Sequence, residues 1–137
     1  MAIAQPPAHD EELARHSVLR EISQAMVRVY KAQFGRGPKK TCAYWAGPDV
    51  LVVTLEQTLT AAEHRMEALG EHERLRNLRT LMQQADITEF CDPVEAITGR
   101  KIRAFLSSID TTADVATETF VLHTAGYDGP SRSQLNR

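Results

Sequence analysis

Two stretches of this chain repeat the same order of parts. Each has a helix-forming segment that stops at Gly-Arg, then basic residues, then two strand-like runs joined by a tight turn. The first covers Phe34–Gln57 and the second Thr98–His123, with Gly35-Arg36 aligned on Gly99-Arg100. Two α-β-β units place strong limits on the fold, because each hairpin must bury one face against its own helix. The expected architecture is α+β: a four-stranded, mainly antiparallel sheet with the helices packed on one face.

Local signals give the boundaries. Asp10 reads as an N-cap followed by Glu11 and Glu12, which suit the positive end of a helix. Leu19, Ile22, Met26, Val29 and Tyr30 then recur at helical spacing up to Phe34, where Gly35 and Pro38 stop the helix. Thr41–Ala46 and Val50–Gln57 flank a Gly-Pro-Asp turn and predict a hairpin. Thr60 and Glu63 form a capping box, opening a helix that ends at Gly70. A third helix carries Leu75, Leu78, Met82 and Ala85 on one face. Asp92 as N-cap, with Pro93 at the first helical position and Glu95 beyond it, predicts a kink or restart at Pro93. Two further strands, Lys101–Ile109 and Val115–His123, complete the pattern.

Residues 1–9, with a Pro-Pro pair, read as a flexible lead-in; 10–124 form one domain; 125–137 read as a disordered polar tail. The chain has 137 residues, 42% of them hydrophobic, enough to build a core without disulfide or metal staples. Net charge is −2, so any attraction for nucleic acid or acidic membranes has to be local. Cys42 and Cys91 form no close motif, and reduced thiols are the expectation. The start lacks the basic and apolar regions of a signal peptide, and the longest apolar run, in Asp49–Glu56, is far short of a membrane span. A cytoplasmic protein without direct membrane insertion follows.

Phe34-Gly-Arg-Gly-Pro-Lys-Lys40 looks at first like a phosphate loop. Such a loop needs strand, then glycines, then a helix N-terminus, and the order here is reversed. The cations instead sit where a helix ends, which favours them as partners of its dipole. One functional alternative keeps them together. Arg36, Lys39 and Lys40 would join Arg100, Lys101 and Arg103 in an anion- or partner-binding site if both helix–strand corners fell at one sheet edge. A two-fold normal to the sheet would separate them. His72, Arg76, Arg79 and Gln83 share a helix face away from Leu75, Leu78 and Met82, an exposed face of which His72, Arg76 and Arg79 offer a docking surface.

His64, Glu67 and Glu71 lack a fourth convergent ligand, so no metal and no other cofactor is expected. Asp110 and Asp114 bracket the second hairpin turn, where aspartates serve local hydrogen bonding. No nucleophile elbow is present and neither cysteine has a histidine near it in sequence, so no catalytic residues are assigned and an enzyme is not expected.

Phe34–Lys40, Gly47–Glu63, Glu95–Asp110 and Ala116–His123, in that order, make the chain resemble the MpsC family, the small component of a sodium-translocating, membrane-potential-generating system. The resemblance spans roughly Ile22 to His123. It implies an accessory protein that accompanies membrane proteins of cation or bicarbonate handling, and it supplies no catalytic residues. Asp92-Pro93 departs from the family's continuous helix into Thr-Gly-Arg. The functional expectation is therefore a non-catalytic interaction protein, peripheral to the membrane through a membrane transport protein. It would be a homodimer through a strand edge or the apolar hairpin. The alternative is a regulator that binds a small anion, a phosphorylated ligand or nucleic acid at the basic corners, with nucleic acid disfavoured by the net charge.

Overall fold

The computed structural model describes residues 7–135, with side chains from His9 onward. The chain runs α1 (Pro7–Phe34), β1 (Lys40–Trp45), β2 (Val50–Glu56), α2 (Ala61–Ala68), α3 (His72–Ala85), α4 (Ile87–Thr98), β3 (Ile102–Asp110) and β4 (Val115–Leu122). A short 3₁₀ turn, Arg132–Gln134, follows. The fold is the expected α+β: one four-stranded sheet in the order β1-β2-β4-β3, with every neighbouring pair antiparallel.

The two α-β-β units are α1-β1-β2 and α4-β3-β4, and their second strands meet at the centre, with Val53 opposite Glu118. Strand alternation decides which side is buried. Leu51, Val53 and Leu55 of β2 share the core with Phe120 and Leu122 of β4. Onto them pack Ile22, Met26 and Tyr30 of α1 and Ile87, Phe90, Cys91 and Val94 of α4. Phe90, Phe105 and Phe120 stack in sequence at centroid separations of 5.3 and 5.1 Å. Burial pushes the Cys91 thiol up to about 12, helped by Glu95 and Asp92, as suits a packing residue.

The glycine stops hold: Gly35 and Gly99 have φ of +78° and +69°. So does the capping box, in which Glu63 N donates to Thr60 Oγ1 and Thr60 N to Glu63 Oε1. Three local expectations differ. First, α1 begins at Pro7, so Asp10 lies inside its first turn instead of capping it. Residues 1–6 of the expected flexible lead-in lie outside the described residues.

Second, the helix break falls at Asp86 and not at Pro93, which sits inside α4. Ile87, Phe90, Cys91 and Val94 form an i, i+3, i+4, i+7 stripe running straight past the proline. Burial of that stripe offsets the ~3 kcal/mol that a proline costs a helix interior. Glu95, read as a capping partner, instead accepts from Ile102 N at 2.8 Å and ties the α4 corner to β3.

Third, the tail after Thr124 has structure as far as Leu135. Its 3₁₀ turn packs against β3 and α4, with Ser131 and Ser133 buried. Lys101 Nζ donates to Gly129 O at 2.6 Å and holds the segment alongside β3.

Candidate functional site

The strand order settles the geometry of the basic corners. β1 starts opposite Glu56 and β3 starts opposite Leu122, while β2 and β4 run antiparallel between them. The corners are therefore at opposite edges and opposite ends of the sheet, roughly 25 Å apart from strand spacing and rise. Arg36, Lys39 and Lys40 do not meet Arg100, Lys101 and Arg103, and the single six-cation site is not formed.

Arg36 instead braces its own hairpin, and Arg100 ties the end of its own hairpin to the turn of the other. Arg36 donates to Gln57 O and Leu59 O, both at 3.0 Å, just past the end of β2. Arg100 donates to His123 O, just past the end of β4, and to Pro48 O at 2.9 Å in the opposite turn, and it pairs with Asp49. The sequence repeat thus encodes a repeated clamp on orphan carbonyls. Lys39, Lys40 and Arg103 are exposed, with Lys40 Nζ 3.6 Å from Glu56, and Lys101 is bound to the tail.

The expected docking face on α3 is broken up as well. Leu75, Arg79 and Gln83 are its buried residues, whereas Leu78 is exposed and Met82 half-buried. Only Arg76 of the proposed face is open to water; His72 Nδ1 lies 2.6 Å from Thr111 Oγ1. Arg79 has no solvent exposure at all. Its guanidinium donates to Glu63 Oε2 at 2.6 Å, to Glu63 Oε1 at 2.7 Å and to Thr58 O at 3.0 Å, and lies 3.8 Å from the centre of the Phe34 ring. A bidentate partner, a backbone acceptor and an aromatic face compensate much of the cost of removing the guanidinium from water, with Nη1 left buried and without a hydrogen-bond partner among the described residues.

Beside it lies a second acid, Glu118, fully buried on the helix-facing side of β4. Tyr30 Oη donates to its Oε1 at 2.6 Å and Gln83 Nε2 to the same oxygen at 3.0 Å. Its Oε2, and the hydroxyl of Ser107 opposite it across the β3–β4 pair, are shut from water; the hydroxyl acts on the carboxylate from close by, without a hydrogen bond of normal geometry. Burial pushes the Glu118 carboxyl up to about 7, against the pull of Ser107, Tyr30, Arg79 and Gln83. The same burial, and then Glu118 itself, raise the Tyr30 phenol. For Glu63, burial alone would raise the carboxyl, but hydrogen bonds from Arg79 and Thr60 outweigh it and hold it low.

None of Tyr30, Glu63 or Glu118 is singled out as a site residue from sequence. One signal was available. Glu118 is in phase with Ala116, Phe120 and Leu122 on β4, so the alternation that buries them buries it too. A strand acid in the core phase requires donors from the covering helices.

Two surfaces remain open. Among the described residues no helix covers the sheet's second face: Tyr44, Val52, Thr119 and Leu106 form one cross-strand row, and Val50, Val121 and Ala104 another. Tyr44 and Leu106 are 42% and 56% exposed. Beside β1, a groove of ≈ 550 Å³ runs under His16, Leu19, Arg20 and Ser23 of α1. It continues as a groove of ≈ 320 Å³ at Trp45, over whose ring Arg15 lies at 4.8 Å. Among the described residues, no group of three or more histidine, cysteine or acidic side chains is placed to hold a metal ion.

This is an antiparallel α+β sheet protein whose conspicuous arginines are internal braces and whose second sheet face is left uncovered by the described residues. The chain belongs to the MpsC family: the family's model, described as the Na+-translocating membrane potential-generating system (MpsC), matches residues 14–124. No match was found among curated proteins or among solved structures. No helix of the described residues is long and apolar enough to cross a membrane.

Proposed function

We propose that this protein is a non-catalytic accessory subunit, acting in the cytoplasm as a homodimer, that docks on a membrane protein of a cation-translocating or bicarbonate-handling system. The observation that carries this reading is the family match over 14–124, whose description names a membrane-potential-generating system. With no helix suited to insertion, the described part of the chain would reach the membrane through a protein partner. The open sheet face fits that partner. Its rows of valine, threonine, Tyr44 and Leu106 carry charge at one end, at Lys40, Glu56 and Asp110, with the exposed Arg103 next to Ala104 at the other. Contiguous apolar surface of that kind marks protein–protein contact. The regulator alternative loses its support because the two basic corners are apart and their arginines are already bonded.

The test is affinity purification of the tagged full chain from its own cells in mild detergent, beside a Leu106→Glu variant. Leu106 is 56% exposed, so the variant should fold. A stoichiometric membrane protein captured by the wild type and lost with Leu106→Glu supports the reading. Recovery of nucleic acid, or of no membrane protein, overturns it.

A further inference from the structure

The two edges of the sheet are not equivalent. Beside β3 the chain returns: the turn at 132–134 packs against β3 and α4 and Lys101 holds the carbonyls of Asp128 and Gly129, without a backbone hydrogen bond to the strand among the described residues. At the β1 edge no described residue pairs with the strand.

The parity of the ladder tells which groups β1 leaves unpaired. Ala46 N donates to Val50 O, and the register of β1 on β2 then turns the backbone of Tyr44, Cys42 and Lys40 inward. The Thr54 hydroxyl reaches Cys42 O at 3.4 Å, which agrees with that parity. The N–H and C=O groups of Thr41, Ala43 and Trp45 therefore face outward. An exposed edge of this kind, without a proline or a bulge at its centre, is a template for another strand.

We infer that β1 pairs antiparallel with β1 of a second copy of this chain, about a two-fold axis at Ala43, to give one continuous sheet across the dimer. This specifies the homodimer of the functional reading and does not depend on its membrane partner. Ala43 is the register that uses the whole edge: Thr41 faces the partner's Trp45, and Ala43 faces its own copy. Moving the axis to Cys42 leaves Trp45 unpaired, and moving it to Tyr44 leaves Thr41 unpaired.

One further observation favours this arrangement. The groove under His16, Leu19, Arg20 and Ser23 flanks the same edge, so a second strand there closes it. A homodimer formed by edge pairing is isologous, and it removes the sheet's exposed edge without adding residues.

Register can be read with thiols. The purified full chain is examined by light scattering, then oxidised mildly and run without reductant. Cys42 is exposed and reduced. In the Ala43 register it lies directly opposite Tyr44 of the other copy, a non-hydrogen-bonded pair with Cα atoms about 4.5 Å apart. Tyr44→Cys should therefore link the two chains through native Cys42, and Cys42→Ser added to it should abolish the link. Wild-type protein should not link, because Cys42 and its copy are diagonal neighbours about 7–8 Å apart, too far for a disulfide. Ala43→Pro removes an outward N–H, which an edge strand tolerates, and should halve the solution mass while the melting transition remains cooperative. A wild type that is monomeric at tens of micromolar overturns the proposal. So does a dimer that survives Ala43→Pro, or a wild-type Cys42–Cys42 link, or a dimer that fails to link with Tyr44→Cys.

Discussion

Tyr30 Oη donates a 2.6 Å hydrogen bond to Glu118 Oε1, joining the last turns of α1 to a central strand of the sheet. The two residues are far apart in sequence and both fully buried. Their contact places a titratable acid inside the core, and the stability of the fold should register it.

Folded, the Glu118 carboxyl keeps its proton up to about 7, whereas its ordinary value is 4.5. Between those values the folded chain binds more protons than the unfolded one, so stability falls as pH rises through that window and levels off above it. The shift corresponds to at most about 3 kcal/mol. Glu118→Gln should flatten that decline and melt higher than wild type at pH 8, measured by thermal denaturation across pH 4.5–8. Glu63 acts with the opposite sign: its carboxyl is held low, so its contribution is lost as pH falls through its folded value. A wild type whose stability rises between pH 5 and 7 would count against the Glu118 assignment.

The Arg79–Glu63 pair predicts strong non-additivity. Removing one member strands the other as a buried charge, a loss of about 3–5 kcal/mol. Arg79→Leu should therefore cost that much in urea unfolding, because Glu63 then sits beneath α3 without its two short hydrogen bonds. Adding Glu63→Gln to Arg79→Leu should recover part of the loss, with a coupling of about 1–3 kcal/mol in the double-mutant cycle. Strict additivity would mean that the pair is not formed in solution.

Much of the backbone plan was legible, and the reasons are local. Gly35 and Gly99 stop helices because they adopt positive φ, and Thr60 with Glu63 caps a helix through atoms three residues apart. The two hairpins follow from alternation and turn residues. What could not be read locally was the rotation of α3. Leu75, Leu78, Met82 and Ala85 make an acceptable apolar face, but Leu78 is 40% exposed and Arg79 is inside. That rotation is chosen by Glu63 and Thr58, which lie on earlier segments and offer the acceptors a buried guanidinium needs. The corner cations failed differently. Gly35-Arg36 and Gly99-Arg100 were correctly matched as a repeat, yet only the strand order reveals that the repeat points its two corners away from each other.

The clamp role of Arg36 and Arg100 is separable from anion binding. Each satisfies carbonyls just past the end of a strand, so each alanine substitution should lower stability by about 1–3 kcal/mol. Arg100→Ala should cost more, since it releases the Asp49 carboxylate and Pro48 O as well as His123 O. Phosphate titrated into wild type and into the double alanine variant, followed by calorimetry, should give the same weak or null heat. Stoichiometric binding lost in the double variant would restore a ligand role to the corners.

Gln57 and Asp114 test how the end of the first hairpin is fastened to the turn of the second. Both are non-glycine residues at positive φ, +58° and +55°, and Gln57 N donates to Asp114 O at 2.9 Å. Their side chains differ in what they do. Gln57 is exposed and makes no side-chain hydrogen bond, so its strain has no compensation there. Asp114 Oδ1 accepts from Thr58 N at 2.9 Å and Leu59 N at 3.2 Å, anchoring the segment that leads into α2. Gln57→Gly should therefore stabilise the chain by about 0.5–1 kcal/mol, by relieving the left-handed conformation. Asp114→Gly relieves the same strain but leaves two buried amides without acceptors, at about 1–3 kcal/mol each, and should be destabilising. Thermal melts of the two variants at pH 8 would move in opposite directions; parallel shifts would show that backbone strain, and not the carboxylate anchor, dominates at Asp114.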